Sequence, residues 1–261
     1  MSEQHSQKEP SDKKLYTQIL DLAYPKLHNI IGLYKEQSMY WLSGVTFREF
    51  MLGVERPVRL LLLKHKYRFP DSEDYKTRLD FVDEDLQALI ADNVIEYGDF
   101  WWVDFQSRDC LTQLPETEFL NLLHLKQLGC PSEPPYFPTL QNRFAYFSHD
   151  DGWALHLWVD SPQLLAKVLA RVLTLKYLTF SGRRSFPHPD EAIANDLVAR
   201  ADEGLFFDFR NVDAHATSVP IYRIGAVKNS DCARRLADEY VQKHSITEQL
   251  NVTQHRWQHL D

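Results

Sequence analysis

Residues 143–159, RFAYFSHDDGWALHLWV, constrain the fold more than any other part of this chain. Asp151-Gly152 separates two runs rich in aromatic and aliphatic side chains, and a type I′ hairpin turn needs positive φ at both central residues, which Asp-Gly supplies at little cost. Pairing around that turn sets Asp150 opposite Trp153, Ser148 opposite Leu155, Tyr146 opposite Leu157 and Phe144 opposite Val159. The other face then carries Arg143, Ala145, Phe147 and His149 against Ala154, His156 and Trp158. A four-residue loop over His149–Gly152 would keep the same faces, since both registers pair even with odd positions. Both faces are apolar, which leaves two outcomes. Either other layers cover both, with the 162–173 helix on one side and amino-terminal helices on the other, or one face is a contact surface. Phe147, His156 and Trp158 are then the binding candidates.

Hydrophobic residues make up 44% of the 261 positions and charged residues 25%, enough for a sizeable core. The 29 Lys+Arg against 37 Asp+Glu give a net charge of −8, the wrong sign for a general nucleic-acid or anionic-membrane binder and compatible with a basic protein partner. Cys110, Cys130 and Cys232 are far apart and lack C-x-x-C spacing, which disfavours a disulfide framework or a thiolate zinc site. The first residues, MSEQHSQKEPSDKK, hold no apolar signal region, and apolar runs such as 60–63 are too short to span a bilayer. The expected location is the cytoplasm.

Residues 1–12 read as a disordered tail. Apolar positions at Leu15, Ile19, Leu22, Leu27 and Ile30 recur at helical spacing, with Pro25 as a break. Residues 39–50 are aromatic and ambiguous, and Pro57 is suited to open a helix over 58–63. Pro115 opens a helix over 116–128 that Gly129 can end. Four prolines in 130–138 mark a junction that either separates two domains or crosses one continuous core. Ser161-Pro162 is a strong helix start before the stripe Leu165, Val168, Leu169, Val172, Leu173. A strand over 177–180, a helix over 191–202 closed by Gly204, strands over 205–209 and 219–227, and a last helix to about 244 complete the domain. Residues 245–261 read as a tail, in which His255 and His259 have the i, i+4 spacing of a helical metal site.

Asp83 can cap a helix carrying Leu86, Leu89 and Ile90, and residues 94–97 and 100–103 flank Gly98-Asp99 as a short hairpin. This helix and hairpin resemble the second half of a winged-helix domain over about twenty-five residues, without a base-reading signature. The resemblance implies a DNA-binding regulator whose phosphate contacts would come from Arg56, Arg59, Lys64, Lys66 and Arg68. The same basic residues also suit a solvated face with aliphatic stems laid over a core.

The hairpin tip has its own chemistry. Asp151 and Gly152 are accounted for by the turn, which leaves His149, Asp150 and His156. With Asp213 and His215 from a later loop, His149 and Asp150 make a candidate metal set, and with it a metal-dependent hydrolase. The His149-Asp150 doublet is similar to that of the phosphohydrolases named for such a pair, but theirs rides on a helix among further helical histidines. Here it tops a hairpin, which breaks the likeness. Arg183 and Arg184, in a Ser/Pro/His loop, are candidate anion-binding residues, with Arg210 and Arg223 as further cations. No P-loop, dinucleotide or nucleophile-elbow motif occurs, and nine glycines leave little for phosphate-cradling loops, so the sequence calls for no cofactor.

The expected fold is α+β. A mainly helical part over 13–130 with a winged-helix-like hairpin precedes an antiparallel sheet packed by helices over 139–244, in the order ββαβαββα. The expected function is that of a non-enzymatic binding or regulatory protein, bacterial and immunity- or antitoxin-like in kind, acting through a protein partner. The alternatives are the hydrolase and the DNA-binding regulator.

Overall fold

The computed structural model describes residues 29–36, 39–46, 49–51, 60–64, 80–82, 100–128, 135–149, 154–225, 248–253 and 256–260. Their centre is one antiparallel sheet. Its strands in chain order are β1 (Ile30–Glu36), β2 (Met39–Ser43), β3 (Leu60–Lys64), β4 (Asp80–Val82), β5 (Phe100–Asp104), β6 (Phe144–His149), β7 (Ala154–Val159), β8 (Leu205–Asp208), β9 (Ser218–Arg223), β10 (Glu248–Thr253) and β11 (Arg256–Leu260). Across the sheet the order is β11-β10-β9-β8-β1-β2-β7-β6-β5-β3-β4, and every pairing is antiparallel. The helices are α1 (Arg108–Thr112), α2 (Glu116–Leu128), α3 (Pro162–Ser181) and α4 (Glu191–Ala199), with a 3-10 turn at Ala201–Glu203.

The hairpin of β6 and β7 forms in the expected register, with Phe144 opposite Val159, Tyr146 opposite Leu157 and Ser148 opposite Leu155. It lies inside the sheet, not at its edge, because β5 takes the free side of β6 and β2 takes that of β7. That explains two apolar faces: a strand paired on both sides within a covered sheet has no wet surface. On one face, Ile31, Leu33, Leu42, Tyr146, Leu157, Phe207, Ile221 and Leu250 pack beneath α3 and α4. On the other, Trp41, Trp101, Val103, Phe147 and Trp158 join Leu122 and Leu125 of α2 and Phe137 and Leu140 of the segment after it.

Helix α3 is the main cover. Ser161 Oγ accepts the Leu164 N–H at 3.1 Å, Pro162 opens the first turn, and Gly182, at φ 69°, donates its N–H to Leu178 O. Left-handed φ at that last position is what glycine permits cheaply. The strand expected over 177–180 is therefore the end of this helix: Tyr177 and Leu178 extend its buried stripe, and Gly182 rather than Thr174 ends it.

Other expectations change with the sheet. Residues 60–63 are strand β3, not helix; a four-leucine run carries no period of its own, and here it pairs with β4 on one side and β5 on the other. β5 pairs with β3 on one side and with β6 on the other; residues 94–97 of the expected winged-helix-like hairpin and the 83–90 helix before it lie outside the described residues. Ile30 belongs to strand β1, and the rest of the expected amino-terminal helix also lies outside the described residues. The carboxy-terminal residues expected as a tail are β10 and β11, and β10 pairs with β9. The expected last helix, 231–244, is outside the described residues. Across the proline-rich junction, β5 and β6 are neighbours, so one sheet runs through both sides of it. Among the described residues no helix is long and apolar enough to cross a membrane.

Candidate functional site

The face away from α3 carries a belt of rings crossing seven strands. Tyr222 of β9 stands opposite Phe206 of β8, and Phe206 meets Tyr34 of β1 edge-on at 5.7 Å between centroids. Tyr34 meets Trp41 of β2 at 5.8 Å, and Trp41 stacks on Trp158 of β7 at 5.8 Å. Trp158 stacks on Trp101 of β5 at 5.1 Å, and Trp101 on Phe147 of β6 at 4.4 Å. Cross-strand neighbours have Cβ atoms about 5 Å apart, so a ring on each strand of one face produces such a ladder.

His156 sits inside it. Its imidazole lies 5.8 Å from Trp41, 6.2 Å from Phe147 and 5.7 Å from Trp158. The three residues expected to bind, Phe147, His156 and Trp158, are thus brought together, and all three are buried. The indole N–H groups of Trp41 and Trp101 find no acceptor among the described residues, although both are buried. A buried donor left unpaired costs about 1–3 kcal/mol. The belt is therefore polar-capable as well as greasy: two indole donors and an imidazole face one aromatic layer. Burial raises the Tyr34 hydroxyl well above its ordinary pKa, so it stays neutral, and it accepts the Ser43 hydroxyl at 3.4 Å.

Gly32 makes room for this packing. A Cβ there would lie 2.1 Å from Tyr34 Oη and 2.5 Å from Ser43 Oγ, so the Tyr34 ring can fold over β1 only because the position is bare.

The metal candidates are distributed differently. Asp213 and His215 share one exposed turn, in which Asp213 Oδ1 accepts the His215 N–H at 2.8 Å. His149 ends β6, its side chain outside the described residues, and Asp150 lies wholly outside them. Among the described residues no three His, Cys, Asp or Glu side chains are grouped to hold a metal. Arg183 lies over the rings of Tyr177 at 5.5 Å and Phe186 at 5.9 Å, while Arg184 is exposed. Arg210 makes two bonds to Asp208, each 3.0 Å, and Arg223 pairs with Glu203 at 3.3 Å and with Glu248. Each of these two arginines is thus paired with carboxylates of the same chain.

Two charged assemblies were not anticipated. In the first, Lys176 Nζ of α3 lies 2.9 Å from Glu49 Oε2, and both side chains are 0% exposed. Glu49 is held from behind by a capping box: its Oε2 accepts the Thr46 N–H at 2.9 Å, and Thr46 Oγ1 accepts the Glu49 N–H at 3.2 Å. Glu49 Oε1, also buried, finds no donor among the described residues. The T-x-x-E spacing at 46–49 was the available sequence signal. So was the place of Lys176 on the stripe of Leu165, Leu169, Val172 and Leu173.

In the second, Glu248 of β10, with a side chain 1% exposed, receives Arg200 at 2.6 and 2.8 Å, Arg223 Nε, and His259 Nε2 at 2.5 Å. Burial works to raise the Glu248 pKa, but the bonds from Arg200, Arg223 and His259 outweigh it and bring it to about 2. The bonds to Glu248 and Glu203 hold the Arg200 guanidinium firmly protonated, and Arg200 in turn lowers the Glu203 carboxyl. No periodicity could reveal this group, because its members are up to 59 positions apart and meet only in the folded chain.

Comparison with family models, with curated proteins and with solved structures finds no match.

Proposed function

We propose that this is a non-enzymatic binding protein, immunity- or antitoxin-like in kind, that acts through a protein partner. The observation that carries the reading is how buried charge is used. The buried carboxylates among the described residues are Glu49, Asp104, Asp208 and Glu248, and each is closed on a cation of the same chain. Asp104, for instance, takes the N–H groups of Arg143 and Phe144 at 2.7 and 3.0 Å and the Arg143 guanidinium at 3.0 Å. Groups spent in this way hold segments together and are not poised to exchange protons with a substrate. The net charge of −8 suits a basic partner, whose approach it would accelerate at low salt.

The test is recovery of the tagged protein from cells that express it naturally, followed by reconstitution with the purified partner. One stoichiometric protein is expected, with an association rate that falls as salt rises. A chain that runs alone as a monomer at every salt concentration overturns the reading. So does stoichiometric metal in chelator-free protein that His149→Ala/His215→Ala removes, because that result belongs to a metal-dependent hydrolase.

A further inference from the structure

The loop that follows α3 is pinned along its length. Gly182 closes the helix, and Ser181 Oγ accepts the Arg183 N–H at 3.4 Å. Trp257 of β11 donates its Nε1–H to Pro187 O at 2.7 Å, and His188 Nδ1 lies 3.0 Å from Thr174 Oγ1 of α3. Within the loop, Phe186 is buried and meets Tyr177 and Trp257 edge-on at 5.1 and 5.8 Å, while those two rings meet at 5.6 Å. Tyr177 is fixed in turn by its hydroxyl, which donates to Ala216 O at 3.0 Å. Helix α3, the loop and β11 thus build one block of rings.

Arg183 lies on that block. Its guanidinium carbon is 5.5 Å from the centre of the Tyr177 ring and 5.9 Å from that of Phe186. Ring contact uses the face of the guanidinium plane, whereas hydrogen bonds leave from its edge, so an arginine seated in this way keeps its fork of N–H donors. Among the described residues no carboxylate or carbonyl takes a bond from the guanidinium of Arg183 or of its exposed neighbour Arg184. Arg143, Arg200 and Arg210, by contrast, are each closed on a carboxylate of the chain. In a protein whose acids outnumber its bases by eight, two adjacent arginines without an acid are unspent donors. An ordinary exposed arginine must give up its rotamer freedom to grip a ligand; Arg183 has given it up to the rings already.

We propose that Arg183 and Arg184 form a recognition site for a small oxyanion, a carboxylate or a phosphate monoester, held by the Arg183 fork and drawn in by the Arg184 charge. The site does not depend on the protein-partner reading, since an oxyanion is recognised by its own geometry whatever carries it.

The test is an NMR titration of the full chain with sodium phosphate, sodium acetate and sodium chloride at matched ionic strength, following the arginine Nε–Hε signals and the amides of residues 183–186. A saturable shift with a Kd of about 1 mM is expected for phosphate or acetate and none for chloride, and the tighter of the two shows which oxyanion the site reads. Arg184→Gln, at an exposed position, is expected to keep the urea midpoint of the parent and to weaken binding about tenfold. Arg183→Lys keeps the charge but lacks the planar fork, and is also expected to weaken binding about tenfold. An arginine that serves only to hold the loop gives a different result: Arg183→Lys then lowers the urea midpoint, while phosphate, acetate and chloride move the same signals alike. That result overturns the site, and so does an Arg183→Lys protein that binds phosphate and acetate as tightly as the parent.

Discussion

Lys176 and Glu49 form an ion pair in a place where water cannot reach either charge. The desolvation of two such ions costs several kcal/mol each, so their attraction roughly repays the cost, and removing one partner leaves the other stranded. Lys176→Met is expected to destabilise the protein by about 3–5 kcal/mol in urea unfolding. Adding Glu49→Gln should recover most of that loss, since a glutamine oxygen can still accept the Thr46 N–H. Double-mutant additivity would count against direct pairing. Gly32→Ala is a test of a different kind. Its methyl group would sit 2.1 Å from Tyr34 Oη, inside a packed aromatic layer, so a loss of about 1–3 kcal/mol is expected, seen as a lower urea midpoint at unchanged slope.

Among the elements, α3 shows most directly how local chemistry and packing cooperate. Its cap and its proline are readable in the sequence, Gly182 was hidden behind an expected strand over 177–180, and together they bound a helix whose middle is almost entirely buried. Ser161→Ala, which removes the bond to the Leu164 N–H, is expected to cost about 1 kcal/mol by thermal or urea unfolding. The strands depend on packing instead. Run 60–63 has no alternation to mark it as a strand, and only the neighbours β4 and β5 make it one. Likewise β11 is too polar in pattern to announce itself, and Trp257 is the residue that ties it to α3. Trp257→Ala is expected to cost about 3–5 kcal/mol and to raise proteolysis at the carboxy terminus before the rest of the chain is cut.

For the whole molecule, the charge clusters make stability depend on pH. The Glu248 carboxyl falls from 4.5 to about 2 on folding, so its ionised form favours the native state. That contribution is fully present above pH 4.5 and is lost as the pH falls through about 2. Asp104 has the opposite sign: burial raises its carboxyl above 3.8 despite the bonds from Phe144 and Arg143, so its ionisation weighs against folding as the pH rises from there. Glu248→Gln is expected to be less stable than the parent at neutral pH, with the gap narrowing between pH 4.5 and 2. A constant gap across that range would falsify the assignment of the acid sensitivity to Glu248.

Short-range signals were enough for the β6–β7 hairpin and its faces, because Asp151-Gly152 and a period of two act between neighbours in the chain. They were enough for the start of α3 and for the span of α2, where caps and prolines do the same. The gathering of Phe147, His156 and Trp158 on one face followed from that pairing, but their burial did not. It depends on β5, β2 and α2, which are remote in the chain. Remoteness also hid the Glu49–Lys176 pair and the Glu248 cluster. Strand order and ion pairing are decided by which distant surfaces can exclude water together, a quantity that only the folded chain possesses.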